Sequence, residues 1–269
     1  MMNRQSIYIL MFLFAAMISA WTAQSAYADH PQTLTIAAAN SLKDALRTVL
    51  PIFEKEQGNV GVRVVWGPSQ TLRDQIQQGA PIDVFLPSSI EEINVLEMKG
   101  LTLPGTKHVY AKTALVLITQ SALPTTVSSL DDLSQAEVRR IALGNPKTSS
   151  VGKFAAEALK KTRLDERLKS RYVYGEHSGA VLDLVAAGEA EVGLVYRTDA
   201  IRNKKVQILT EISPESHAPI MYALGTVWTS KNPSLAQRFY EFIISPVIQD
   251  ILKSYGFDRT SSELHTANR

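Results

Sequence analysis

Cysteine is absent from the 269-residue chain, which removes thiol nucleophiles, disulfides, iron–sulfur clusters and cysteine-type zinc sites together. A lipoprotein anchor, which needs a cysteine after the leader, is excluded with them. A basic run is missing too: 28 Lys and Arg stand against 26 Asp and Glu, a formal net charge of +2, so nothing is available to neutralise a phosphate backbone and no nucleic-acid partner is expected. The five histidines, His30, His108, His177, His217 and His265, show none of the close spacings that zinc ligands adopt. After Ala20 no apolar run approaches the length of a membrane span. What remains is 45% hydrophobic and 20% charged residues with 14 Gly and 12 Pro, the balance of a folded domain. The length suffices for one large core or two ordinary ones.

The N-terminus carries an address. Arg4 precedes an apolar stretch from Ile7 to Ala20, and the small-residue pattern Ala26-Tyr27-Ala28 follows. This is the pattern of a secretory signal peptide over residues 1–28, with cleavage expected before Asp29. The apolar stretch is short for a membrane anchor, and Thr22-Ala23-Gln24-Ser25 does not extend it. The expected product is a free periplasmic protein.

From Thr33 onward, short β-branched runs alternate with amphipathic helical patterns, which indicates βαβ units and largely parallel strands. Thr33 to Ala37, Val60 to Trp66 and Asp83 to Leu86 read as strands. Helices are expected over the stripe Leu42, Ala45, Leu46, Val49, Leu50 and Phe53, over Thr71 to Gln78, and over Glu91 to Lys99. Pro51 is expected to kink or restart the first of these. The rhythm changes near Lys107, where a long extended stretch runs on to Ile118, and a second one covers Pro219 to Trp228. Between them lie strands at Arg140 to Leu143, Arg171 to Tyr174 and Glu191 to Val195, with helices at Lys153 to Lys161 and Val181 to Ala187. Two further helices, Leu235 to Ile244 and Val247 to Ser254, close the chain. The simplest arrangement is an α/β protein of two lobes joined by two crossing strands, with lobe I from 29–110 and 224–269 and lobe II from 111–223. One continuous sheet with a long excursion fits the same pattern.

Four strand-to-helix junctions share one chemistry. They are Ala38-Ala39-Asn40-Ser41, Trp66-Gly67-Pro68-Ser69, Ser149-Ser150-Val151-Gly152 after Gly144-Asn145-Pro146, and His177-Ser178-Gly179 after Gly175-Glu176. The first turn of a helix leaves its amides without internal partners, and the helix dipole places positive potential there. Such ends favour anions, and in open α/β sheets ligands sit at the carboxyl ends of the strands. A Ser in this position is also an ordinary N-cap, but four junctions split two and two between facing lobes point further. A neutral ring of N–H and O–H donors suits a small, fully deprotonated oxyanion. At roughly 1.5 to 3 kcal/mol per hydrogen bond to a charged partner, about six or seven donors outweigh its dehydration.

These residues carry a family resemblance. Ala37-Ala38-Ala39-Asn40-Ser41-Leu42, Ser69-Gln70-Thr71-Leu72, Gly79-Ala80-Pro81-Ile82-Asp83-Val84-Phe85, Gly144-Asn145-Pro146, Val151-Gly152, Ala187-Gly188-Glu189-Ala190, Val192-Gly193-Leu194-Val195-Tyr196, Thr198-Asp199-Ala200 and Tyr255-Gly256-Phe257 resemble the periplasmic molybdate-binding proteins (ModA) of ABC transporters. The likeness spans essentially the whole mature chain. It implies the two-lobed solute-binding fold of type II, each lobe a mixed sheet flanked by helices, and a monomer that is not an enzyme and uses no cofactor. It also implies molybdate or tungstate as ligand, with the metal present only as the oxyanion, and a membrane permease as partner. Ser41 and Ser69 fall where the family binds the oxyanion from the first lobe. Val151 falls where a backbone N–H contributes from the second, and Tyr196 where a phenolic O–H donates. Ser178 stands at a position that is often Val and acts through its backbone; here its hydroxyl adds a donor or only caps the helix. Asn40 is an accessory candidate. Sulfate or another tetrahedral oxyanion is the alternative ligand.

Two other motifs fall short. Ser150-Val151-Gly152-Lys153 has the S-x-x-K spacing of serine acyl enzymes, and a periplasmic serine hydrolase using Ser41 or Ser150 is the distant alternative. Its companion element is misplaced, however: Lys147-Thr148-Ser149 precedes the candidate nucleophile and lacks the final Gly. Gly144 to Lys153 resembles a P-loop only in part, because Lys147 stands where the first Gly belongs and Phe154 where a Ser or Thr must bind magnesium. Glu176 is expected to face solvent, since it would repel an anion, and a partial charge on His177 would make binding pH-dependent.

Overall fold

The computed structural model describes residues 32–121 and 126–260; the signal-peptide segment lies outside them. Strand β1 (Gln32–Ala39) enters a short 3-10 turn (Asn40–Leu42) and then helix α1 (Lys43–Gln57). Ala45, Leu46, Val49, Leu50 and Phe53 are all buried on one face of α1. Pro51 sits inside this helix without ending it. Its ring removes one backbone bond, but the buried stripe on both sides of it belongs to a single face, and packing of that face carries the helix through. β2 (Val60–Gly67), α2 (Ser69–Gln77), β3 (Val84–Leu86) and α3 (Ile90–Met98) complete the first βαβαβα run.

The extended stretch that follows divides between two sheets. β4 (His108–Lys112) belongs to the first, and β5 (Leu115–Gln120) to the second. The second half continues through β6 (Ile141–Gly144), α4 (Ser150–Lys161), β7 (Tyr172–Gly175), α5 (Ser178–Ala186), β8 (Val192–Tyr196) and β9 (Val206–Glu211). β10 (Met221–Thr226) returns to the first sheet, and α6 (Pro233–Ile243) and α7 (Pro246–Ser254) follow. The passages between the sheets therefore fall at 113–114 and 212–220.

Among the described residues each sheet has five strands, in the orders β2-β1-β3-β10-β4 and β7-β6-β8-β5-β9. Both are mixed. β1 pairs in parallel with β2 and β3, whereas β10 runs antiparallel to β3 and β4. β6 pairs in parallel with β7 and β8, and β5 runs antiparallel to β8 and β9. The largely parallel expectation thus holds for three strands of each sheet; the antiparallel pairs arise at the strands through which the chain crosses. β9 has no counterpart in the sequence reading because its side chains are largely exposed and carry little apolar signal.

Register brings the junctions together. Ala39 stands opposite Gly67 on β1 and β2, so Asn40-Ser41 and Pro68-Ser69 emerge side by side. Gly144 stands opposite Gly175, which does the same for the two junctions of the second sheet. A continuous buried cluster runs from Leu34, Ile36 and Phe53 through Tyr110, Leu115 and Tyr222 at the crossings to Leu143, Phe154 and Leu194, so the halves share one core at their joint.

Candidate oxyanion site

The carboxyl ends of β1, β2, β3, β6, β7 and β8 surround one small cavity of about 20 Å³, room for a single compact guest. Ser41, Ser69, Val151, Ser178 and Tyr196 all line it, as does Asn40. All the residues anticipated from the sequence therefore meet in one place. None of the lining residues is an Asp, Glu, Lys or Arg. His177 is the one titratable neighbour besides Tyr196, and burial lowers its pKa, so it is neutral at pH 7.

The backbone supplies donors from every junction. In α2 the first internal bond is Leu72 N–H to Pro68 O, in α4 Lys153 N–H to Ser149 O, and in α5 Val181 N–H to His177 O. The first N–H groups of these helices, including those of Ser69, Val151 and Ser178, precede those bonds and have no acceptor within their own helices. The 3-10 turn behaves likewise, since its bond runs from Lys43 N–H to Asn40 O. In the second sheet, glycines permit this approach. A Cβ on Gly152 would stand 2.4 Å from Gly144 O, and one on Gly175 would stand 2.8 Å from Val181 N.

The hydroxyls are not spent on capping. No side chain caps α2 or α4, and α5 is capped by His177, whose Nδ1 accepts from Ala180 N–H at 3.2 Å. Ser41 Oγ lies 2.8 Å from Tyr222 Oη. Ser69 Oγ accepts from Ser88 N–H at 3.0 Å and lies 3.1 Å from Ser88 Oγ. Ser178 Oγ accepts from Tyr196 N–H at 3.0 Å. Its hydroxyl also lies against Asp199, where burial pushes the carboxyl up to about 7; Asp44 and Asp183 add to that rise and Ser178 opposes it. The Ser178 side chain thus ties α5 to β8, leaving its backbone N–H for the cavity. Tyr196 Oη reaches across to Ser88 Oγ at 3.4 Å. Burial first, and Tyr222 second, raise the Tyr196 pKa well above its ordinary value, so the phenol keeps its proton and donates.

Ser88 was not anticipated. It is buried, lines the cavity and links Ser69 to Tyr196. The rule that found the other junctions reaches it: β3 ends at the same edge, and Pro87-Ser88-Ser89 follows before α3. Glu176 is exposed and outside the cavity wall. A second, larger cavity of about 300 Å³ shares Asn40, Ser41 and His177 with the first but is lined by Lys43, Asp44, Asp183 and Asp199, a charged surface unsuited to the same guest.

Lys153, the candidate base of the S-x-x-K motif, is engaged elsewhere. Its Nζ lies 3.3 Å from Glu92 Oε1, while Arg73 holds Glu92 Oε2 at 2.6 Å. Glu92 is only 1% exposed, so this pair bridges α3 of the first half to α4 of the second. Ser41 has Tyr222 rather than a base beside it. Among the described residues no cluster of His, Asp or Glu is arranged to hold a metal ion.

Comparison with known proteins agrees with this architecture. The family model described as bacterial extracellular solute-binding protein matches residues 34–258. A Bacillus subtilis lipoprotein, YvgL, assigned to ABC-transporter substrate binding, is 31% identical over 96% of this chain and 99% of its own. The molybdate-binding protein ModA of Haemophilus influenzae is 30% identical over 83% of this chain and 89% of its own. The solved periplasmic molybdate-binding protein of Azotobacter vinelandii superposes with a TM-score of 0.76 at 25% identity, covering 85% of this chain and all of that one. The chain belongs to the bacterial extracellular solute-binding proteins, in the ModA family of ABC-transporter substrate-binding components.

Proposed function

We propose that this protein captures molybdate or tungstate in the small cavity and delivers it to the permease of an ABC transporter. The observation that carries this reading is the convergence of uncharged donors from both halves on a space for one compact guest, with no carboxylate or ammonium in its wall. A fully deprotonated oxyanion accepts hydrogen bonds on every oxygen and has no proton to give, which matches a wall of N–H and O–H groups. Relatives named as molybdate-binding favour molybdate among such anions.

In this reading Ser41 and Ser69 bind from the first half with hydroxyl and backbone donors. Val151 and Ser178 bind from the second through N–H groups, Tyr196 donates its phenolic O–H, and Asn40 orients the first loop. The two passages at 113–114 and 212–220 serve as the hinge. A ligand held by donors of both halves is fully satisfied only when they close on it, and that differential affinity drives closure. A leader over residues 1–28 would export the protein.

Isothermal titration calorimetry with molybdate, tungstate, sulfate and phosphate tests the proposal. One-to-one binding of molybdate and tungstate, far tighter than of sulfate, is the expected result. Tight sulfate binding without a molybdate response would make this a sulfate receptor.

A further inference from the structure

Ser150 stands apart from the other hydroxyls of the cavity. It is buried to within 3% of its surface and lines the cavity beside Val151. Its Oγ is closed to solvent and has no hydrogen-bond partner among the described residues. It does not cap α4, which makes no side-chain cap bond. Lys153, one turn along, is held by Glu92. A buried hydroxyl without a partner is costly, and Ala at this first-turn position would avoid that cost with better helix propensity.

We infer that Ser150 donates its hydroxyl to the bound oxyanion and is a determinant of affinity contributed by the second half. The inference rests on the proposed oxyanion reading and extends it to a residue outside the five expected contacts. The Ser178 hydroxyl is already committed to Tyr196 N–H, so Ser150 gives this half a side-chain donor next to the Val151 N–H. Ser150 lies on the other half from Ser41 and Ser69, so its bond and theirs form together only where both halves enclose the guest. An oxyanion among these donors supplies the acceptor that the described protein groups do not give Ser150 Oγ.

Ser150→Ala separates this role from a structural one. Calorimetry with molybdate should show Kd raised by about 10- to 150-fold, the loss expected for one hydrogen bond to a charged partner. The melting temperature of the empty variant should stay equal to that of the wild type or exceed it, because no protein contact is lost. Tyr196→Phe runs alongside as a control on the site. If Tyr196→Phe binds weakly while Ser150→Ala keeps the wild-type Kd, the inference is overturned and the oxyanion reading stands. If the wild type binds neither molybdate nor tungstate, both fall. A lower melting temperature of the empty Ser150→Ala protein would also overturn it, by assigning the hydroxyl to the fold.

Discussion

Removing the phenolic oxygen of Tyr196 separates binding from folding more cleanly than any other change. Tyr196→Phe keeps the ring, which sits 6.4 Å from Phe154 and 6.1 Å from Tyr222 in edge-on contacts, so the packing of the buried β8 terminus is preserved. Among the described residues the one hydrogen-bond partner lost is Ser88 Oγ at 3.4 Å, longer than the usual O–H···O range and correspondingly weak. The empty protein therefore loses well under about 1 kcal/mol, a shift of at most a few degrees in melting temperature for a chain of this size. In the complex the same oxygen would donate to an anion, a bond of about 1.5 to 3 kcal/mol. That corresponds to a rise of about 10- to 150-fold in Kd. Calorimetry with molybdate and a thermal melt of the ligand-free protein read the two quantities separately. An unchanged Kd, or a melting temperature lowered by ten degrees with Kd rising in step, would refute the assignment of Tyr196 as a donor to the guest.

Asp199 gives a pH signature. Its pKa is raised to about 7 in the folded protein, so between about pH 4 and 7 the folded state keeps a proton that the unfolded chain has released, and stability falls as pH rises, by up to about 1.4 kcal/mol per unit, before levelling off. Urea unfolding of Asp199→Asn across that range should lack this component; equal slopes in variant and wild type would contradict it. Lys153→Met should weaken molybdate binding by no more than about 5-fold, since Lys153 is 44% exposed and Arg73 still satisfies Glu92; titrations at low and high salt should show a smaller ionic-strength effect than in wild type, and an equal one would remove the bridge from the account. Gly152→Ala forces a methyl against Gly144 O, and overpacking of this kind should lower the melting temperature by about 2 to 12 °C and weaken binding with it, whereas an unperturbed melt would show that the loop after β6 yields freely.

The sequence exposed the fold through the change from strand to helix periodicity, and the core faces of α1, α6 and α7 follow that pattern closely. It placed helix starts late at the very positions that matter. α2, α4 and α5 begin at Ser69, Ser150 and Ser178, two or three residues before the expected Thr71, Lys153 and Val181. The apolar stripe that signals a helix begins only after its first turn, and here the first turns carry Ser69, Ser150 and Ser178, which line the cavity. Ser150 thus read as loop and Ser88 as connector. The pairing of Ser88 with Ser69 and Tyr196 joins residues far apart in sequence, which no local pattern encodes. The β9 edge strand and the unbroken α1 across Pro51 were hidden for the opposite reason: tertiary pairing and packing outweigh local preference there.

The claim that one oxyanion sits among uncharged donors of both halves is tested most directly by crystals grown with molybdate, with data collected on either side of the molybdenum absorption edge. The account predicts a single strong anomalous peak enclosed by Ser41, Ser69, Val151, Ser178 and Tyr196, with Ser150 Oγ within hydrogen-bonding distance of one of its oxygens. A peak elsewhere, or none in crystals of a protein that calorimetry shows to bind molybdate, would contradict it.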